Sequence, residues 1–122
     1  WYTWPDPQQA WPLGLADAQD RLGAPIDLAH FLRLPMALWV GERDTATDAH
    51  LRDEPQLASV QGAHRLARAR NWSDAVRSAG QARGIDVALT MTVLPRAGHD
   101  FAACDRKGEL AARVMDFFDR HR

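Results

Sequence analysis

Two polar segments, each placed directly after an apolar run, hold residue types that can do acid–base chemistry. Asp44 lies in the segment that follows residues 36–41, and His99 lies in the segment that follows residues 86–94. A carboxylate beside an imidazole fixes the imidazole's tautomer and stabilises the imidazolium, so the imidazole can act as a general base. Asp44 and His99 therefore predict an acid–base pair, provided that the fold brings the two segments together.

The elements around these residues predict an α/β fold with a parallel sheet. Residues 36–41 (MALWVG) form a short apolar run between Pro35 and a polar loop, which is typical of a strand buried on both faces. Residues 86–94 alternate and contain β-branched residues, which indicates a second strand. A long helix over residues 63–83 connects the two, so we expect a parallel pair whose carboxyl ends, with Asp44 and His99, meet at one edge.

The rest of the chain is expected to cover this strand pair as a single, partial domain. Residues 105–121 carry an amphipathic stripe that predicts a terminal helix. Residues 1–34 are aromatic and rich in proline, and we expect an irregular, docked segment with short helices near residues 16–22 and 27–34. The aromatic residues of this segment could line an acyl pocket near the catalytic cleft, but we favour packing onto the missing part of the sheet. They are Trp1, Tyr2, Trp4 and Trp11.

Composition excludes several classes of protein. The chain has 122 residues, a size that suits one domain, and 15 basic against 16 acidic residues give a net charge of −1. This balance provides no overall field for nucleic acid, and no apolar run is long enough for a membrane-spanning helix. Cys104 is the only cysteine, which excludes an internal disulfide, and we expect a buried or inert thiol. We expect no metal and no organic cofactor, and neither nucleic acid nor membrane as a partner.

Several other polar residues have alternative interpretations. Asp48 is the second candidate for the acid, because the loop after residue 41 is long. Asp44, Asp48 and His50 have side chains that can bind a metal, but we do not expect a metal site, since their spacing matches no standard ligand pattern. His50 and His64 are expected at the surface. Arg65, Arg68 and Arg70 are expected on a solvated helix face that pairs with the acidic first half of the chain, rather than as a nucleic-acid stripe.

The number of strands is too small for an independent sheet. Two parallel strands leave both outer edges unpaired and cannot cover both faces by themselves. We therefore expect the remaining strands upstream of Trp1, in a missing segment of the same protein, or on a second chain.

Residues 34–122 resemble the C-terminal third of the α/β-hydrolases. An apolar strand, Gly41-Glu42-Arg43-Asp44, a helix, a strand, Gly98-His99 and a terminal helix with a Phe-Phe pair occur in that family's order. The aromatic opening and the helix start Gln61-Gly62-Ala63-His64-Arg65 also resemble a bacterial branch of serine esterases. The family's order of nucleophile, acid and histidine implies that Asp44 is the triad acid and His99 the triad base.

The chain departs from this family in having no Gly-x-Ser-x-Gly motif. Ser59 lacks the strand-to-helix context, and Ser73 and Ser78 lie inside the predicted long helix. The resemblance therefore implies a C-terminal fragment of a serine hydrolase that acts on a small-molecule ester or related acyl substrate. Its nucleophile and oxyanion hole would lie upstream, so we expect the isolated chain to be inactive. The alternative is a degenerate, non-enzymatic hydrolase-like module used for binding or assembly.

Overall fold

The computed structural model describes residues 2–49, 51–52 and 54–122. The described part contains two strands and six helices. They are α1 (Ala18–Leu22), α2 (Leu28–Arg33), β1 (Met36–Gly41), α3 (Pro55–Gln61), α4 (Arg65–Gln81), β2 (Leu89–Leu94), α5 (Phe101–Gly108) and α6 (Leu110–Arg120). The expectations for Trp1 and His50 fall outside the described residues.

The two strands form a parallel pair, as the apolar runs predict. Met36 pairs with Leu89 at one end, and Gly41 pairs with Leu94 at the other. The second strand begins three residues later than expected, because β1 offers partners only from Met36 onward. At the start of the pair, the Met36 N–H donates a hydrogen bond to the Ala88 carbonyl, just before β2, at 2.9 Å.

The helix α4 covers one face of the strand pair with two apolar clusters. Val76 packs with Leu32 of α2 and Leu89 of β2. Leu66 and Ala69 pack with Val40 of β1 and with other apolar side chains near the carboxyl end of the sheet. Burial of each large aliphatic side chain contributes about 1.5–3 kcal/mol. The helix therefore connects the core to the edge of the sheet where the polar loops lie.

The helix α4 also begins later than the expected residue 63. His64 is extended and acts as its N-cap, with Nδ1 accepting a hydrogen bond from the Ala67 N–H at 3.2 Å. The expectation of a surface histidine at this position was incomplete, because His64 is half-buried and fixes the start of the helix.

The helix α3 was not predicted. It starts with Pro55 in its first turn, is capped at its end by Gly62 and buries Leu57. A helix of two turns with one buried apolar residue leaves almost no periodic signal in the sequence.

The terminal helix is broken in two, where the sequence predicts one helix over residues 105–121. Glu109 has a φ of 54°, which interrupts the helix between α5 and α6. The Asp105 carboxylate then accepts the Ala111 N–H at 2.8 Å and so caps the start of α6. Close packing accompanies the break, since a Cβ at Gly108 would lie 2.8 Å from the Leu94 side chain.

The aromatic N-terminal segment is docked on α3 and α4 through Tyr2 and Thr3. The Gln61 side chain accepts the Tyr2 N–H at 3.0 Å and donates to the Tyr2 carbonyl at 2.7 Å. The Tyr2 ring stacks on Trp72 with ring centroids 5.2 Å apart, and the Trp72 indole donates to the Thr3 carbonyl at 2.9 Å.

Among the helices described, none is both long and apolar enough to span a bilayer.

Candidate active site

Three hydrogen bonds join the loops that follow β1 and β2. The Glu42 N–H donates to the Leu94 carbonyl at 2.9 Å, and the Arg43 N–H donates to the Ala97 carbonyl at 2.8 Å. In return the Glu42 carboxylate accepts the Arg96 N–H at 2.7 Å. The two loops therefore continue the pairing of the strands beyond the last strand residue, and they hold the following side chains close together.

A glycine at the end of β1 permits this close approach. A Cβ on Gly41 would lie 2.2 Å from the Gly98 carbonyl oxygen and 2.5 Å from that of Ala97. The left-handed residue in this loop is Arg96, with a φ of 57°, whereas the φ of Gly98 lies outside the left-handed region.

Asp44 and His99 meet at the end of these loops. Nδ1 of His99 lies 2.9 Å from Oδ2 of Asp44, within hydrogen-bond reach. The Asp44 side chain is 6% exposed and the His99 side chain is 69% exposed. Because an ionised carboxylate can only accept, this contact places a proton on Nδ1. That tautomer leaves Nε2 as the nitrogen that can accept a proton, and no described residue forms a hydrogen bond with it.

Asp48, the alternative candidate for the acid, has a different partner. Its two carboxylate oxygens accept hydrogen bonds from Nη1 and Nη2 of Arg65, both at 3.1 Å. Nη1 of Arg65 also lies 3.6 Å from Oδ1 of Asp44. The hydrogen bonds to Asp48 raise the pKa of Arg65 above its ordinary value, and the charge of Asp44 adds to this effect. Arg65 thus pairs with acids of the first half of the chain, as expected.

Arg68 departs from the expectation of a solvated helix face. It is 1% exposed, and its Nε donates to the Gly62 carbonyl at 2.8 Å. Neither of its Nη atoms has a hydrogen-bond partner among the described residues. Of the three arginines at this end of α4, Arg70 alone is fully on the exposed face.

The acid–base pair borders a cavity of about 540 Å³. Its lining is mixed: aromatic and aliphatic side chains face three arginines and the pair itself. The lining residues are Tyr2, Trp39, Val40, Gly41, Asp44, Leu51, Arg52, Arg65, Arg68, Gly98, His99, Phe101, Cys104 and Leu110. Within the described aromatic opening, Tyr2 reaches this cavity, whereas Trp4 lines a separate one.

Cys104 lies in α5 beside the pair, but its surroundings do not favour a reactive thiolate. It is buried, and its thiol donates to the Gly98 carbonyl at 3.4 Å. Burial raises the pKa of the Cys104 thiol, and the charges of Asp44 and Asp100 add to that shift. A thiol that resists ionisation is a poor nucleophile.

The described residues hold no group of three potential ligands that could bind a metal ion. Asp44 faces His99 and Asp48 faces Arg65, while His50 lies outside the described residues. Ser59 lies in α3, both Ser73 and Ser78 lie in α4, and none of the three is among the described residues that line the cavity.

An acid and a histidine on the loops after two adjacent parallel strands, with a connecting helix, make up the C-terminal part of an α/β-hydrolase fold, and this chain has that fold. Two solved structures are similar to it. Poly(aspartic acid) hydrolase-1 from Sphingomonas sp. KT-1 matches 87% of this chain with a TM-score of 0.74 and 29% sequence identity. The poly(3-hydroxybutyrate) depolymerase LpqC from Bordetella parapertussis matches 95% of this chain with a TM-score of 0.76 and 33% identity.

The chain spans only part of each of these hydrolases. It covers 39% of the first neighbour and 38% of the second. No protein-family model and no curated protein matches the sequence. The similarity therefore establishes a hydrolase-type fold over about two fifths of a hydrolase, and the substrates named for the two neighbours are properties of those proteins.

Proposed function

We propose that this chain supplies the acid and the base of a serine hydrolase that acts on an ester or related acyl substrate. The observation that carries the proposal is the 2.9 Å contact between Oδ2 of buried Asp44 and Nδ1 of exposed His99. In this assignment Asp44 orients His99, and Nε2 takes the proton of a serine hydroxyl as that oxygen attacks the acyl carbon. The same nitrogen then returns the proton to the leaving group.

The serine and the oxyanion hole would come from a segment upstream of Trp1 or from a second chain that completes the sheet. Two features support this part of the proposal. The chain covers about two fifths of its hydrolase neighbours, and the sheet formed by the described residues contains only two strands. The exposed imidazole faces a cavity that such a segment would close.

The test is ester hydrolysis by the full-length protein, measured with p-nitrophenyl esters of different acyl length. We expect His99→Ala to abolish turnover and Asp44→Asn to lower kcat by a factor on the order of 10⁴, because the amide favours the wrong tautomer. Asp74→Asn, which removes an exposed acid from α4, is the matched control and should retain wild-type turnover. Full activity in His99→Ala would refute the assignment.

Two further results separate this function from a non-catalytic binding module. A Gly-x-Ser-x-Gly sequence after a strand upstream of Trp1 supports the enzyme, whereas Gly or Ala at the serine position supports the module. The 122-residue chain alone should not hydrolyse any ester. Turnover by that chain that disappears on His99→Ala would show that the nucleophile does not come from elsewhere.

A further inference from the structure

Arg65 lies between two carboxylates and contacts both. Each oxygen of Asp48 accepts a hydrogen bond from one Nη of Arg65, both at 3.1 Å. Nη1 is also 3.6 Å from Oδ1 of Asp44, the oxygen that does not face His99. The two oxygens of Asp44 therefore have different partners, a guanidinium on one side and an imidazole on the other.

The start of α4 holds Asp44 through a fixed Arg65 side chain and through a backbone hydrogen bond. The paired hydrogen bonds to Asp48 hold the plane of the guanidinium, which a single contact would leave free to rotate. Arg65 is also the first residue of α4, and the next residue, Leu66, donates its N–H to the Asp44 carbonyl at 3.1 Å. The start of α4 thus holds both the backbone and the side chain of Asp44.

We propose that Arg65, anchored by Asp48, is the positioning residue of the acid–base pair, an inference that rests on the proposed function. A carboxylate can rotate about its Cβ–Cγ bond, and rotation would replace the Nδ1 contact with a poorer one. By attracting Oδ1, Arg65 leaves Oδ2 facing His99. It also compensates the charge of Asp44, whose side chain is 6% exposed and poorly solvated.

The charges of the three residues set the sign of the expected pH effects. Arg65 with Asp44 and Asp48 carries a net charge of −1, which an imidazolium at His99 would balance. Removing Arg65 favours the imidazolium, and removing the charge of Asp48 disfavours it. Other titratable or charged groups also lie beside the pair or border its cavity, and none of them is changed in the variants below. They are Tyr2, Glu42, Arg52, Arg68, Asp100 and Cys104.

The experiment measures kcat/KM against pH for the full-length protein. We expect Arg65→Gln to move the acidic limb to higher pH and Asp48→Asn to move it to lower pH, each by about half a unit. Arg65→Lys keeps the charge but loses the paired geometry. It should lower kcat by about tenfold, with KM nearly constant and the acidic limb in place.

Arg70→Gln is the control for Arg65→Gln, and Asp74→Asn is the control for Asp48→Asn, since each removes the same charge as its counterpart from an exposed position of α4. Both should leave the profile within about 0.1 unit of wild type. Shifts of Arg65→Gln and Asp48→Asn in one direction, or a wild-type kcat in Arg65→Lys, would overturn the inference. If Arg65→Gln does not fold, Asp48→Asn and Arg65→Lys still decide it. These outcomes are distinct from a failure of the proposed function, which would appear as full activity in His99→Ala.

Discussion

Replacing Gly41 with alanine tests whether the close approach of the two loops creates the acid–base pair. The added Cβ would lie 2.2 Å from the Gly98 carbonyl oxygen and 2.5 Å from the Ala97 carbonyl oxygen. Both atoms belong to the backbone, so no side-chain rotation can relieve the contact. The loop that carries His99 must therefore move away from the end of β1.

The size of this movement follows from the distances. A carbon and an oxygen approach to about 3.4 Å, so the carbonyl of Gly98 must move by about 1.2 Å. The Asp44–His99 contact of 2.9 Å and the Arg43–Ala97 hydrogen bond of 2.8 Å cross the same gap. A movement of that size lengthens both to about 4 Å, beyond hydrogen-bond range. Strain and lost hydrogen bonds together should cost about 3 kcal/mol.

The assay combines urea unfolding with ester turnover in the full-length protein. We expect Gly41→Ala to lower the free energy of unfolding by about 3 kcal/mol. The rate of ester turnover should fall by about 10²-fold, which is the usual effect of misplacing a catalytic group by about 1 Å.

The matched control for stability is Gly98→Ala on the facing loop. There a Cβ meets nothing within 4 Å of the described residues, and the backbone is not left-handed. Its free energy of unfolding should change by less than about 0.5 kcal/mol. If Gly41→Ala is as stable as Gly98→Ala and keeps wild-type turnover, the close approach is not what holds the pair together.

Two further predictions concern the surroundings of the site. Gln61→Leu leaves the Tyr2 N–H and carbonyl without their side-chain partner, and it should lower the free energy of unfolding by about 2 kcal/mol. An equal effect from Gln81→Leu, at an exposed position, would show that the two hydrogen bonds to Tyr2 do not stabilise the fold. The raised pKa of Cys104 lowers its thiolate fraction, so alkylation of the native protein at pH 8 should be at least about tenfold slower than in urea and should increase with pH beyond the ordinary thiol pKa of about 8.5. Mass spectrometry of the peptide that contains Cys104 measures both rates, and equal rates in the native and unfolded states would refute this prediction.

Much of the fold could be predicted because its signals are local. Pro35, the apolar run to Gly41 and the polar loop after it determine β1, and Gly23 ends α1 with a φ of 66°. Asp27 directly precedes α2, and its side chain accepts the His30 N–H at 2.8 Å, as aspartate does at a helix N-cap. These features depend on a few neighbouring residues, so the sequence alone was sufficient.

Boundaries that depend on distant contacts were less predictable. The start of β2 depends on the length of β1, and the break at Glu109 accompanies packing of Gly108 against Leu94. Arg68 is buried where the start of α4 borders the cavity, although the sequence places it on a helix with two other arginines. A periodic pattern reports the average face of a helix and not the neighbours of one residue.

For the site, the sequence by itself determined the candidates, an acid after one parallel strand and a histidine after the next. Only the tertiary structure decided between Asp44 and Asp48 as the residue that faces His99, because both lie on the same loop and have the same chemistry. The decision comes from strand register, the close approach at Gly41 and the position of Arg65 at the start of α4. Each of these is a contact between residues far apart in the chain, and only folding brings them together.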